Sequence, residues 1–268
     1  MNKDALHPRY GQVVQESYEH ESSRTFQEPM TLFARHMAIP DLVSLARHAV
    51  QSALRRCADN PDLPCLAVVD STCGNGHDTL FLAEAVSSLG GKPYGVFAFD
   101  VQPEALEATR TRLKNNGLTG SVCLLMKNHA CLAEVLTQPE SCPPSLAGAF
   151  ARPQEGRASP VGRPIVVIPL RIAAAMYNLG FLPRSDKRII TTPADTLRSL
   201  KSAATAMAPQ GILAIHAYGG HPGGLDELQA VDTWCSALPF SEWRAVRYSV
   251  CNKTRNPETL FLAEKIGT

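Results

Sequence analysis

Ten residues, Asp70-Ser71-Thr72-Cys73-Gly74-Asn75-Gly76-His77-Asp78-Thr79, stand between an apolar segment (CLAVVD, 65–70) and a helical pattern over about 78–88. A buried strand that delivers the chain into such a turn brings backbone amides close to a ligand, because Gly74 and Gly76 can take positive φ. Free N–H groups at the start of the following helix favour a carboxylate or a phosphate. A dinucleotide site would continue as G-x-G-x-x-G, but Thr79 occupies the last position. A ligand carrying both a carboxylate and an ammonium group suits the loop better, as the methionine part of S-adenosylmethionine does. Thr72, Gly74, Asn75, Gly76, Asp78 and Thr79 are its candidate contacts, and Asp70 is placed to meet the ammonium. The plainer alternative is a glycine-rich turn in which Asp78 caps a helix.

Asp100 ends a second apolar run, YGVFAFD, 24 residues after Gly76. A carboxylate there can accept both hydroxyls of a ribose, as in nucleotide-binding α/β halves, with Val101 and Gln102 beside it. By itself an acidic residue after a strand is as readily a solvated terminus. Asn128, after the third apolar run, stands where an adenine amino group would be met. His129 either lines the same pocket or is a satisfied, partly buried histidine.

A third candidate is Asn178-Leu179-Gly180-Phe181-Leu182-Pro183, directly after the apolar run Ile172–Tyr177. It occupies the position of the N-P-P-Y loop of amino-group methyltransferases, where the Asn carbonyl accepts a hydrogen bond from the attacking amine. Methyl transfer is an in-line displacement, so positioning supplies much of the acceleration. The amine must also be neutral, whereas a free alkylamine with a pKa near that of lysine, about 10, is mostly protonated at neutral pH. The site must therefore desolvate it or take its proton. Tyr177 and Phe181 are candidates to stack on a flipped base; aromatic residues beside a strand end are as often core, and Asn178 is alternatively a turn-former.

The elements around these residues alternate. Asp41 can cap a helix over 41–57, and strands at 65–70, 94–100, 121–126, 172–177 and 211–217 are separated by helices at about 78–88, 103–116, 131–136, 193–207 and 225–237. Strands without polar alternation, separated by helices, indicate a parallel sheet covered on both faces. The tail differs: 244–251 and 259–265 read as an antiparallel hairpin. The expected fold is therefore α/β and Rossmann-like, a seven-stranded, mostly parallel sheet ending in a hairpin, as in class I methyltransferases. Residues 1–40 read as an N-terminal helical extension, and 139–169, with seven prolines, as a loop-rich insertion in which 165–168 could form an edge strand.

Composition excludes several classes. Of 268 residues, 44% are hydrophobic and 19% charged, so a buried core is expected rather than a disordered chain. Lys+Arg 26 against Asp+Glu 25 leaves no global positive field, so any nucleic acid must be held by a local patch. Arg184, Lys187, Arg188, Arg198 and Lys201 form one candidate, with Arg47, Arg55 and Arg56 adding to it. No apolar run reaches about 18 residues, the length of a membrane span, and the first 21 residues lack the apolar core of a secretory signal. Eight cysteines without a C-x-x-C pair then read as thiols in a reducing cytoplasm, not as metal ligands.

The run DSTCGNGHDTLFLA resembles the D-A-T-x-G-N-G-H-D-T-L-F-L-A signature of a class I methyltransferase family labelled rRNA methylases, which includes tRNA 5-aminomethyl-2-thiouridine methyltransferases. Met176–Pro183 with Asp186-Lys187 and Thr191-Thr192 resembles its F-N-L-G-Y-L-P-G-G-D-K and T-T block. Gly220-His221-Pro222-Gly223-Gly224 with Glu227 resembles its G-H-x-G-G-x-x-E block, and Asn252, Pro257 and Lys265 agree with its terminal hairpin. The resemblance implies S-adenosylmethionine as cofactor, tRNA as partner, a homodimer, and the aminomethyl group of a wobble uridine as acceptor. In its blocks, His221 and Asp186 are the available proton acceptors, and Tyr177, Leu179, Gly180, Phe181, Pro183, Arg184 and Lys187 are expected at the substrate gate. Arg184-Ser185 replaces the family's Gly-Gly there, which leaves rRNA or a small-molecule amine as rival acceptors. A non-catalytic, cofactor-binding RNA module is the rival of another class.

Overall fold

The structure is a computed structural model that describes residues 39–137, 143–146, 170–180, 190–253 and 255–267. The chain divides into two units, Met1–Pro40 and Asp41–Thr268, and the fold below is that of the second. The extension at 1–38 and the candidate edge strand at 165–168 lie outside the described residues.

Helix α1 (Leu42–Asp59) starts at Asp41, whose carboxylate accepts from the Ser44 amide at 2.6 Å. Then follow β1 (Leu66–Asp70), α2 (His77–Ser87), β2 (Tyr94–Asp100), α3 (Pro103–Asn115, with proline at its first position), β3 (Val122–Met126) and α4 (Leu132–Thr137). After the insertion come β4 (Ile172–Asn178), α5 (Pro193–Ala206), β5 (Met207–Tyr218), α6 (Gly224–Ser236), β6 (Trp243–Ser249) and β7 (Glu258–Lys265).

The seven strands form one sheet in the order β3-β2-β1-β4-β5-β7-β6, parallel except where β7 pairs with β5 and β6. β1 and β4 are apolar at nearly every position and buried on both sides, because helices cover both faces. Residues of α1, α2 and α3 form the core on one face, and those of α4, α5 and α6 the core on the other. β5 begins four residues earlier than the apolar pattern suggests. Met207 already pairs with Ile172 ahead of an irregularity in which Gln210 takes φ 65°, a bulge no periodicity announces. Part of the insertion is ordered core: Pro144–Leu146 forms a short 3-10 turn, and Leu146 is fully buried against Gly95 of β2.

Candidate active site

Parallel pairing brings the C-terminal ends of β1, β2 and β4 to one edge of the sheet, so Asp70, Asp100 and Asn178 lie around the same opening. This is where ligands of open α/β sheets bind. The loop between β1 and α2 is tied down along its length. The Cys73 amide donates to the Phe99 carbonyl at 2.8 Å, and the Gly74 amide to Asp100 Oδ2 at 2.9 Å. Gly76, the N-cap of α2, has φ 78°. Asn75 is exposed, and its carbonyl takes the Arg112 guanidinium at 2.8 Å.

Asp70 is buried, with Oδ1 accepting from the Thr72 amide (3.2 Å) and Oδ2 from the Thr79 hydroxyl (2.6 Å). Thr79 is itself inaccessible, so it positions Asp70 from below. Burial, and after it the nearby Asp78 charge, push the Asp70 carboxyl up to about 7. Protonation is thus easier in the folded chain than in the unfolded one, near pKa 3.9. The stability this contributes is complete below about pH 4 and is lost as pH rises through 7. Asp70→Asn, which cannot ionise, should therefore gain on the wild type as pH rises from 5 to 8, a trend that urea unfolding of both proteins at the two pH values would reveal. A constant difference would refute it.

Asp100 uses Oδ2 on Gly74 and Oδ1 on the Gln102 amide (2.9 Å), and Val101 beside it is about half exposed. Asn128 is occupied: its carbonyl oxygen caps the next turn at the Ala130 amide (2.9 Å), and its amide donates to Asp195 (3.0 Å). His129 is buried, edge-on to Tyr177. Its Nδ1 faces the Ser71 carbonyl at 3.1 Å, so Nδ1 carries the proton and Nε2 is an acceptor. That buried Nε2 has no hydrogen-bond partner among the described residues, and burial lowers the ring's pKa, keeping it neutral.

Asn178 is fixed on three sides. Its backbone amide donates to Thr72 Oγ1 at 2.7 Å, its side-chain amide donates to Asp78 Oδ2, and its carbonyl oxygen lies 3.5 Å from the Tyr218 hydroxyl. Asp78 is not the cap of α2; its other oxygen pairs with Arg47 of α1 at 2.8 Å. Arg47, expected on a phosphate-binding face, is thereby committed to the site, and Arg56 is likewise paired, with Glu264 at 2.6 Å.

Two gate assignments are corrected. Tyr177 is fully buried, with its hydroxyl 2.9 Å from Ser199 Oγ, and Leu179 is equally buried. Alternation along β4, continued one residue past its end, turns both side chains into the α5-side core, so neither offers a surface to a base. Phe181, Pro183, Arg184, Asp186, Lys187 and Arg188 lie outside the described residues. Gly180 and Thr191, on either side of that stretch, are joined by two bonds, from the Gly180 amide to Thr191 Oγ1 (2.9 Å) and from the Thr191 amide to the Gly180 carbonyl (3.0 Å). The Thr191 hydroxyl in turn donates to Glu227 (2.6 Å), which is buried and takes Thr196 on its other oxygen (2.6 Å). His221 packs against Gly180 and Gly224, with Nδ1 3.0 Å from the Pro222 carbonyl.

The sequence reading missed three residues. Tyr218 lies 3.0 Å from Nδ1 of buried His216, and His216 Nε2 lies 3.5 Å from Glu258. The signal was present as His216-Ala-Tyr218, two polar residues at strand spacing that close an otherwise apolar run. Among the described residues no group of three or more His, Cys, Asp or Glu could hold a metal ion, and no helix is long and apolar enough to cross a membrane. The seven described cysteines are free thiols.

A family model described as "Putative rRNA methylase" matches residues 96–143 and 165–264, more than half of the chain. The chain belongs to this rRNA methylase family. The unmatched stretch between the two segments falls inside the proline-rich insertion. A tRNA (mnm(5)s(2)U34)-methyltransferase, chloroplastic, of Arabidopsis thaliana is 31% identical over 203 residues, 74% of this chain. The alignment spans only 63% of that relative's length. Two solved structures share the fold at 25% identity. One, a putative rRNA-methylase from Clostridium thermocellum, has TM-score 0.64 over 86% of this chain and 100% of the other. The second is a putative methyltransferase from Streptococcus mutans in complex with SAH, with TM-score 0.62 over 85% and 99%. Membership in the rRNA methylase family agrees with the sheet order, in which a parallel sheet ends in the β6–β7 hairpin.

Proposed function

We propose that this chain is an S-adenosylmethionine-dependent N-methyltransferase acting on RNA, and that its acceptor is the aminomethyl group of 5-aminomethyl-(2-thio)uridine at the tRNA wobble position. The observation that carries the reading is the setting of Asn178. A carboxylate only accepts hydrogen bonds, so the Asn178 atom facing Asp78 is the amide nitrogen. The carbonyl oxygen is then the atom left to take an amine N–H. The family supports RNA as the substrate class, and the name of the Arabidopsis relative supports the acceptor.

The donor set suits the cofactor. Each Asp100 oxygen holds one backbone amide and keeps capacity for a ribose hydroxyl. Asp70, buried and held by the Thr72 amide and the Thr79 hydroxyl with no cation beside it among the described residues, suits an ammonium group. Among the described residues His129 Nε2 is an acceptor without a donor, and an adenine amino group would supply one. Bound there, S-adenosylmethionine supplies an electrophilic methyl group on sulfur. Asn178 orients the amine toward it, and the Asp78–Arg47 pair keeps Asn178 in place. A homodimer and a reducing cytoplasmic setting belong to the same reading.

The test is direct. Purified protein with S-adenosylmethionine is incubated with tRNA from cells in which the wobble aminomethyl group stays unmethylated, and the nucleosides are resolved by mass spectrometry. One added methyl on that nucleoside is the expected result. Methyl on another RNA site or on a small amine would transfer the reading to the rival acceptors, and cofactor binding without transfer would favour the non-catalytic module.

A further inference from the structure

We propose that Tyr218 and His216 form a relay that takes the proton from the acceptor amine beside Asn178, with Glu258 balancing the charge; this rests on the N-methyltransferase reading. The two residues lie on one face at the end of β5, with ring centroids 4.3 Å apart. His216 Nε2 lies 3.5 Å from a Glu258 carboxylate oxygen, within ion-pair reach but without a hydrogen bond among the described residues, so the negative charge favours the proton of the neutral ring on Nε2. Nδ1 is then the acceptor, and the Tyr218 hydroxyl donates to it at 3.0 Å rather than to Asn178 Oδ1 at 3.5 Å. That assignment leaves Asn178 Oδ1 and the Tyr218 oxygen as two acceptors side by side, where an ammonium group can offer two protons.

The step balances as follows. The ammonium gives one proton to Tyr218 Oη while the Tyr218 proton passes to His216 Nδ1, so tyrosine stays neutral and His216 becomes a cation. The amine nitrogen, now with a lone pair, bonds to the methyl carbon as the carbon–sulfur bond breaks and leaves its electron pair on sulfur. His216 later hands the Nδ1 proton back through Tyr218 Oη, whose own proton goes to water once the product has left; this restores the Nε2–H ring, and Glu258, which is partly exposed, balances its charge meanwhile.

The surroundings fit. Glu258 from β7 and Asp78 from α2 face His216 with negative charge, and Lys253 faces it with positive charge while bonded to Glu258 at 2.8 Å; Arg47 stands behind Asp78. Burial holds the His216 ring below the usual histidine range, so it is neutral and able to accept at neutral pH. Burial and the Glu258 charge push the Tyr218 phenol up, so it passes a proton on instead of ionising. The other candidate, His221, has Nδ1 turned to its own Pro222 carbonyl.

Methyl transfer to aminomethyl-bearing tRNA is to be measured against pH for wild type, His216→Gln and Tyr218→Phe, with imidazole nitrogen NMR of the wild type and Tyr218→Phe. His216→Gln should lower the rate about a hundredfold at pH 7, the scale of a lost general base. The gap should close towards pH about 10, where the amine loses its own proton. Tyr218→Phe, which keeps the ring and its packing, should show the same convergence from a loss of at least about tenfold. NMR should find His216 as the Nε2–H tautomer, with Nδ1 shifted by Tyr218→Phe. A loss that is equal at every pH, or an Nδ1–H tautomer, would overturn the relay while leaving the methyltransferase reading intact. A wild type that transfers no methyl to this tRNA would overturn that reading, and the relay with it.

Discussion

Asn178→Ala should slow methyl transfer about a thousandfold, at the upper end of what one preorganised hydrogen-bonding group contributes. Cofactor affinity should stay within about threefold, since the groups assigned to the cofactor, Asp70, Asp100 and His129, keep their own partners. The effect is large because the residue joins two requirements. Its carbonyl oxygen aims the amine, and its amide nitrogen is the bond by which Asp78 and Arg47 hold it in one rotamer. An amine held only by stacking or phosphate contacts samples many directions of approach, and misalignment of about 1 Å already costs about a hundredfold. The backbone bond to Thr72 survives the change, so the strand end should stay in place. Asn178→Asp separates the two roles: it keeps an acceptor but sets a second carboxylate against Asp78, which repels it. Its rate should fall as well, and partial recovery at low pH, where one carboxyl is protonated, would mark repulsion as the cause. Single-turnover rates at saturating cofactor, with calorimetry for affinity, decide the matter. A parallel loss of cofactor binding would make Asn178 a cofactor contact.

The sheet and the course of the loop between β1 and α2 were legible because they are local. Asp41 capping α1, Pro103 opening α3, and apolar runs ending in Asp70 and Asp100 are written within a few consecutive residues. What holds the site together is not local. Asp78 meets Arg47 from 31 residues earlier and Asn178 from 100 residues later, and no spacing announces either pairing. Glu227 shows the limit best. It stood inside a recognised block, yet its task, gripping Thr191 and Thr196 and through Thr191 the Gly180 amide, exists only once α5 and α6 pack together. Tyr177 failed for the opposite reason. An aromatic residue at a strand end reads alike whether it faces core or ligand, and the phase of β4 decided for the core.

Gly76→Ala should destabilise the protein by about 2–5 kcal/mol and weaken cofactor binding at least about tenfold, through two costs that a second glycine separates. With φ 78°, residue 76 lies in the left-handed region, where an L side chain costs about 1–2 kcal/mol. A Cβ there would also lie 2.8 Å from Thr109 Cα and Oγ1, and forcing extra atoms into a packed site costs about 1–3 kcal/mol more. Gly90 has φ 63°, and a Cβ added to it would meet nothing within 4 Å, so Gly90→Ala should show the backbone cost alone, about 1–2 kcal/mol. The excess at Gly76 has a route to function, because the Thr109 hydroxyl donates to the Gly74 carbonyl at 3.0 Å, and the Gly74 amide in turn holds Asp100. Displacing α3 at Thr109 therefore displaces the carboxylate assigned to the ribose. Thr109→Ala removes two of the three clashing atoms but not Cα, so the double variant should regain only part of the loss. Urea unfolding of the four proteins with calorimetry of cofactor binding tests this, and equal losses at Gly76 and Gly90 would show that the close approach to α3 carries no cost.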